Sequence, residues 1–355
     1  MFSAVWPIRL YKKMQQHKIF PLVTGIVISF GVLLICYGIG SASISMGDAF
    51  RVLLYQLFGA RLPEHISPSQ VSILWSIRLP RVLMAFFVGG ALSVSGAVMQ
   101  SVLQNPLASS YTLGVSSGAS LGASIALAFL GGVPVLGSLS MPVFGFAFGL
   151  GTVLLVIAIS SRLDYNVQSS TIILFGMVIS LFVNALLTLV ESLNHEYMQR
   201  ILMWQMGSFS GRRWFHVEIV APVAVIGLVF LACFHRELDI LSFGDEQSMA
   251  LGVNSRVIKR VLLVVASLMT GAAVCFSGTI GFVDLITPHM VRKVYGASHW
   301  LLLPLSLLYG GSFMVIADTV ARTIISPREI AVGAVTALIG APFFIWLYFR
   351  KRDAG

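Results

Sequence analysis

Apolar stretches of about twenty residues recur along this chain, and most of its charge is confined to the short gaps between them. That pattern constrains the fold more than any single residue, because a helix of such length crosses a hydrocarbon core roughly 30 Å thick. Only 10% of the 355 residues are charged while 57% are hydrophobic, and the mean hydropathy is +0.90. A soluble domain of this size could not cover its surface with so little charge, so the solvent for most of the chain is lipid. Lipid offers the backbone no hydrogen bonds, which favours helices as the spanning elements. The expected fold is an all-α polytopic membrane protein of about ten transmembrane helices.

The stretches fall at 20–40, 83–103, 111–131, 141–160, 171–190, 216–234, 260–278, 279–292, 300–318 and 331–349. The eighth is short and contains Asp284, Pro288 and His289, so its ends are poorly marked. Residues 20–349 read as one transmembrane domain, with a basic tail at 1–19 and a short tail at 350–355. The first stretch lacks a small-x-small cleavage pattern and is expected to stay as an anchor. An even number of spans puts both termini on one side. Taking that side as the cytoplasm places all six lysines inside, while several arginines fall outside. Those outer arginines either snorkel at the interface or serve a specific purpose. The net charge of +9 suits a membrane protein and gives no reason to invoke nucleic acid.

Cys36, Cys233 and Cys275 are isolated in apolar runs and read as small hydrophobes, with no cluster that would hold a metal. The seven histidines are scattered, and phosphate-loop, zinc-protease and nucleophile-elbow motifs are all missing, so the chain is not expected to be an enzyme. Gly89, Gly90, Ser93, Gly96, Gly114, Gly118 and Gly122 recur at helical spacing in the second and third stretches, as do Gly145 and Gly149 in the fourth. Small residues let helix backbones approach closely where lipid supplies no hydrophobic drive. They also suit the lining of a cavity.

Between the first two stretches, 41–77 is polar and mixed, with a short helix expected after Asp48. The outer segment 191–215 predicts a short interfacial helix anchored by Met and Trp. Residues 235–259 look like folded structure. Ser242 or Asp245 is placed to cap a helix running through Glu246, Ala250 and Leu251 to Gly252, and Asn254 or Ser255 starts the next. Such a loop is either an ordinary connector or a surface for a partner to grip. Asp284 and His289 lie in a membrane segment and read as a proton or ion relay, or as structural hydrogen-bonding groups. Asp318 and Arg322 form an i,i+4 acid–base pair.

Ten segments in order give the chain a family resemblance: Ile77–Leu83, Ser95–Gln100, Gln104–Ala108, Leu113–Ala119, Met206–Ser208, Ala250–Asn254, Gly281–Val283, Pro288–Arg292, Ala317–Arg322 and Val332–Phe343. Together they resemble the permease subunits of type II ABC importers for iron-siderophores, haem and cobalamin, over about 20–350. The sequence departs from that family's pattern at Asp284, where glycine is common, at Ser109, where an acid is common, and at Phe175 within Leu174–Gly176.

The resemblance implies the type II ABC importer permease fold and a translocation pathway for an iron-siderophore complex, with haem or cobalamin as the alternative cargo. It implies a second permease subunit, two cytoplasmic ABC ATPases and an extracytoplasmic substrate-binding protein as partners. Mg-ATP would be bound by the ATPases, and this chain itself would hold no cofactor. Glu246, Ala250, Leu251, Gly252 and Asn254 then stand where the family's coupling helices meet the ATPase. Arg78, Arg81, Arg322 and, less closely, Arg328 stand where carboxylates of the binding protein dock. Gln100, Asn105, Asn184, Thr188, Asp284 and His289 are the candidates for the pathway and its gates. An ion-coupled secondary transporter, and a membrane enzyme or scaffold, are the competing readings; only Asp284 favours the former.

Overall fold

The computed structural model describes residues 19–40, 44–129, 137–164 and 168–352, so most of the tail 1–19 and the last residues of 350–355 lie outside it. Among the described residues every regular element is helical. In chain order we label them α1 (Phe20–Gly38), α2 (Met46–Phe58), α3 (Pro68–Val102), α4 (Val115–Ala128), α5 (Ser140–Leu163), α6 (Ser169–Leu193), α7 (Met198–Gln205), α8 (Trp214–Cys233), α9 (His235–Leu241), α10 (Asp245–Ala250), α11 (Ser255–Ser277), α12 (Val283–Tyr295), α13 (His299–Thr323) and α14 (Val332–Arg352).

Each of the ten expected spans coincides with one helix. Seven (α1, α3, α5, α6, α8, α11 and α13) are long and apolar enough to cross a bilayer, whereas α4, α12 and α14 are shorter or less apolar over the described residues. The chain is a multi-pass membrane protein.

The main difference from the sequence reading lies in α3, which begins at Pro68 rather than near 83. Ser67 and Gln70 form a capping box, with Pro68 at the first helical position. A π turn at Ile73–Arg78 then absorbs the irregularity just before Pro80. Hydropathy alone hid this start, because Pro68, Ser69 and Gln70 open the helix and Arg78 and Arg81 interrupt the apolar run that follows.

α3 is the central strut: 89% of its most apolar window is buried, against 28% for α1, α6 and α8. It packs along α13 and also against α8, α11 and α12. Close approach depends on missing side chains. A Cβ on Gly96 would collide with the backbone carbonyl of Asp284, and one on Gly89 with that of Gly310. By contrast, α6 turns Leu174, Met177, Val178, Leu181 and Phe182 outward. Such an apolar exterior around a packed interior is what a lipid or subunit environment demands.

Candidate functional site

The polar loop folds into α9 and α10, two short helices ahead of α11. α9 ends at Leu241, and Gly244, with φ +116°, permits the turn into α10. Ser242 therefore closes α9, and Asp245 is the first residue of α10 rather than its cap. Ser248 Oγ lies 2.6 Å from the Gly244 carbonyl and 3.1 Å from that of Ile240, tying the two helices together. Gly252, with φ +81°, turns the chain after α10, and the Asn254 side chain accepts from Val257 N–H to start α11.

A close ion pair fixes α10 to the bundle. Lys259 of α11 is wholly buried, with Nζ 2.6 Å from Asp245 Oδ1 and 3.3 Å from Ser169 Oγ of α6. Away from that anchor the outer face of α10 and the turn after it are open. Glu246, Ala250, Leu251, Gly252 and Asn254 are all exposed, and Phe243, Met249 and Leu251 are 68%, 51% and 64% exposed. A recess of about 700 Å³ separates α10 from the Gln104–Pro106 turn and the start of α6. Gln104 has φ +51°, which is unusual for a residue with a side chain, and its amide donates to the Leu241 carbonyl of α9 at 3.3 Å.

The arginines at the other end of α3 and α13 lie inward rather than fanning into solvent: Arg78, Arg81 and Arg322 are 4%, 8% and 6% exposed. Arg81 holds Asp318 with Nη2 at 2.8 Å and grips both oxygens of Glu329 at 2.6 and 3.1 Å. It, rather than Arg322, is the main partner of Asp318. Arg322 reaches Asp318 only at 3.8 Å, because its Nη2 turns to the Cys36 carbonyl at 2.6 Å. Arg78 donates to the Gly38 carbonyl at 3.2 Å. The three line a recess of about 330 Å³ together with Arg212 and Glu329. Arg328 lies on the adjoining loop, exposed and outside the recess lining.

Of the six pathway candidates, Gln100 and Asp284 are brought together from different helices. Gln100 of α3 donates to the backbone carbonyl of Asp284 at 3.2 Å. The Asp284 side chain is 1% exposed in the first turn of α12, and His289 is half-buried farther along the same helix. Asn184 and Thr188 share an exposed face of α6. Asn105 accepts from Leu107 N–H at 2.9 Å within its own turn.

Residues 26–350 match the FecCD transport family. The chain belongs to that family. It is 42% identical over 296 residues to a cobalamin import system permease, BtuC, of Halobacterium salinarum, covering 83% of this chain and 78% of the relative. It is 38% identical over 282 residues to the Fe(3+) dicitrate transport permease FecD of Escherichia coli, covering 79% and 86%. A solved structure described as an inward-facing metal-chelate type ABC transporter superposes with a TM-score of 0.79 at 30% identity, covering 93% of this chain and 98% of that one.

Within this FecCD-family chain, motif reading missed the polar contacts that cross between helices. Lys259, Glu329 and Arg212 lie in none of the family-like segments, so nothing local in the sequence marks them. A hydrogen-bonded series at the α9 end also escaped notice: Asp239, His299, Ser101 and Arg292 come from four helices. Burial pushes the Asp239 carboxyl up, but hydrogen bonds from His299 outweigh it and hold the group below its ordinary range. Asp239 therefore remains an anionic acceptor at neutral pH.

Proposed function

We propose that this chain is the membrane permease subunit of an ABC importer whose cargo is an iron-siderophore complex. It works beside a second permease subunit, two cytoplasmic ABC ATPases that bind Mg-ATP, and an extracytoplasmic binding protein. Both termini and the α9–α10 unit face the cytoplasm, and the arginine recess faces outward. The supporting observation is the FecCD-family match across 26–350, which includes both the exposed α10 loop and the arginine positions.

In this reading the residues from Glu246 to Asn254 seat in the ATPase, with Leu251 and Met249 as apolar contacts. The Lys259–Asp245 pair makes the unit stiff enough to transmit movement. The outer recess receives carboxylates of the binding protein on Arg78, Arg81 and Arg322, with Arg328 beside it. Guanidinium forks suit that task, and Glu329 already shows on Arg81 how a carboxylate fits. Gln100, Asn105, Asn184, Thr188, Asp284 and His289 remain the proposed pathway and gating set.

A cobalamin cargo is the second reading, favoured by the 42% identity to the archaeal cobalamin permease. A panel decides between them. Cells lacking their own importers would express the complete transporter and be offered ferric hydroxamate, ferric citrate, haemin or cobalamin. Uptake of a ferric chelate supports the iron reading; uptake of cobalamin alone replaces it.

A further inference from the structure

At the α9 end of the bundle, one series of polar contacts links the loop helices to α3. Asp239 of α9 accepts from the backbone N–H of His299 at 2.9 Å and from its Nδ1 at 2.6 Å. A carboxylate only accepts, so Nδ1 carries a proton and the imidazole orientation is set. The other ring nitrogen lies 2.7 Å from Ser101 Oγ on α3. Ser101 accepts from Arg292 of α12 at 3.1 Å, and the same guanidinium donates to the Ala97 carbonyl at 3.0 Å and to the Gln100 side chain. Gln100 in turn donates to the Asp284 carbonyl at the start of α12.

We propose that Asp239 and His299 are a positioning pair through which movement of the α9–α10 unit reaches the adjoining ends of α3 and α12. This rests on the reading of α10 as the ATPase contact. His299 is 2% exposed, and stability alone does not require so many polar groups there, since well-packed apolar side chains often replace buried ionic ones at no loss. Directed hydrogen bonds differ from apolar packing in one respect: they resist sliding. The series links α9, α13, α3 and α12 at a fixed register. Gln104, donating to Leu241, gives α9 a second hold on the same end of α3.

The test uses the intact complex in nanodiscs with its ATPase and binding protein. A reporter cysteine replaces Leu107, the exposed residue just beyond α3, on a Cys233→Ser background. The probe is the labelling rate by a polar maleimide, compared between nucleotide-free and ATP-vanadate states. The parent chain is expected to change rate with nucleotide. Asp239→Ala and His299→Gln are each expected to shrink that change at least about fivefold, the lower end of ordinary coupling between sites, while the ATPase stays bound. Asp239→Asn, whose amide oxygen still accepts, is expected to keep most of it. Asp239→Ala with His299→Gln is expected to be no worse than either alone, as one shared interaction requires. The inference is overturned if the parent shows no change, if the single variants respond as the parent does, or if they lose the response only by shedding the ATPase. Failure of the parent complex to hold the ATPase at all would instead count against the reading of α10.

Discussion

Lys259 and Asp245 show how one pair can have unequal halves. The ammonium is wholly buried, whereas the Asp245 side chain is 23% exposed. Asp245→Ala strands a charge inside the protein and is expected to cost about 3–5 kcal/mol of local stability, while Lys259→Met is expected to cost less because Asp245 can turn to water. Hydrogen exchange across 240–258 checks the order, and equal protection in the two variants would contradict it. For the arginine recess, if it is the docking site proposed above, Arg78→Gln and Arg322→Gln are expected to weaken association with the binding protein by about tenfold or more, with the loss in rate greatest at low salt. A salt-independent effect measured by surface plasmon resonance would speak against charge steering. Little of this was legible beforehand. Arg81 and Glu329 are 248 residues apart in sequence, and no local spacing announces a fork closing across that distance.

At the scale of elements, the small-residue pattern marks where helices approach closely. Gly96 lies against the backbone where α12 begins, so Gly96→Ala is expected to overpack that contact and cost about 1–3 kcal/mol. Gly151 on α5 has nothing within 4 Å of where a Cβ would stand, so Gly151→Ala is expected to be neutral or slightly stabilising. Thermal unfolding in detergent distinguishes the two, and equal midpoints would contradict the packing account. The positions of the ten helices could be read from hydropathy because lipid imposes length and composition together. The first turns of α3 could not, because Pro68 and the polar residues after it look like a loop until the capping box and π turn are seen. In the polar loop the α10 turn was readable from Gly252 and Asn254, since left-handed turns and N-caps leave local signatures. α9 was not readable, because the partner of its Asp239, His299 of α13, lies 60 residues further along the chain.

On the scale of the whole molecule, the account is one of divided labour. A tightly packed strut, α3, runs from the arginine recess at one end to the loop helices at the other. In the proposed reading the energy for transport comes from a partner ATPase. An ion-coupled transporter with the same number of spans would behave differently in one respect that is simple to measure. The chain is reconstituted with its ATPase and binding protein in sealed vesicles and offered the ferric chelate. Uptake is expected to require ATP hydrolysis and to persist when every ion gradient is collapsed. Uptake that continues without ATP and stops when the gradient is collapsed would contradict the account.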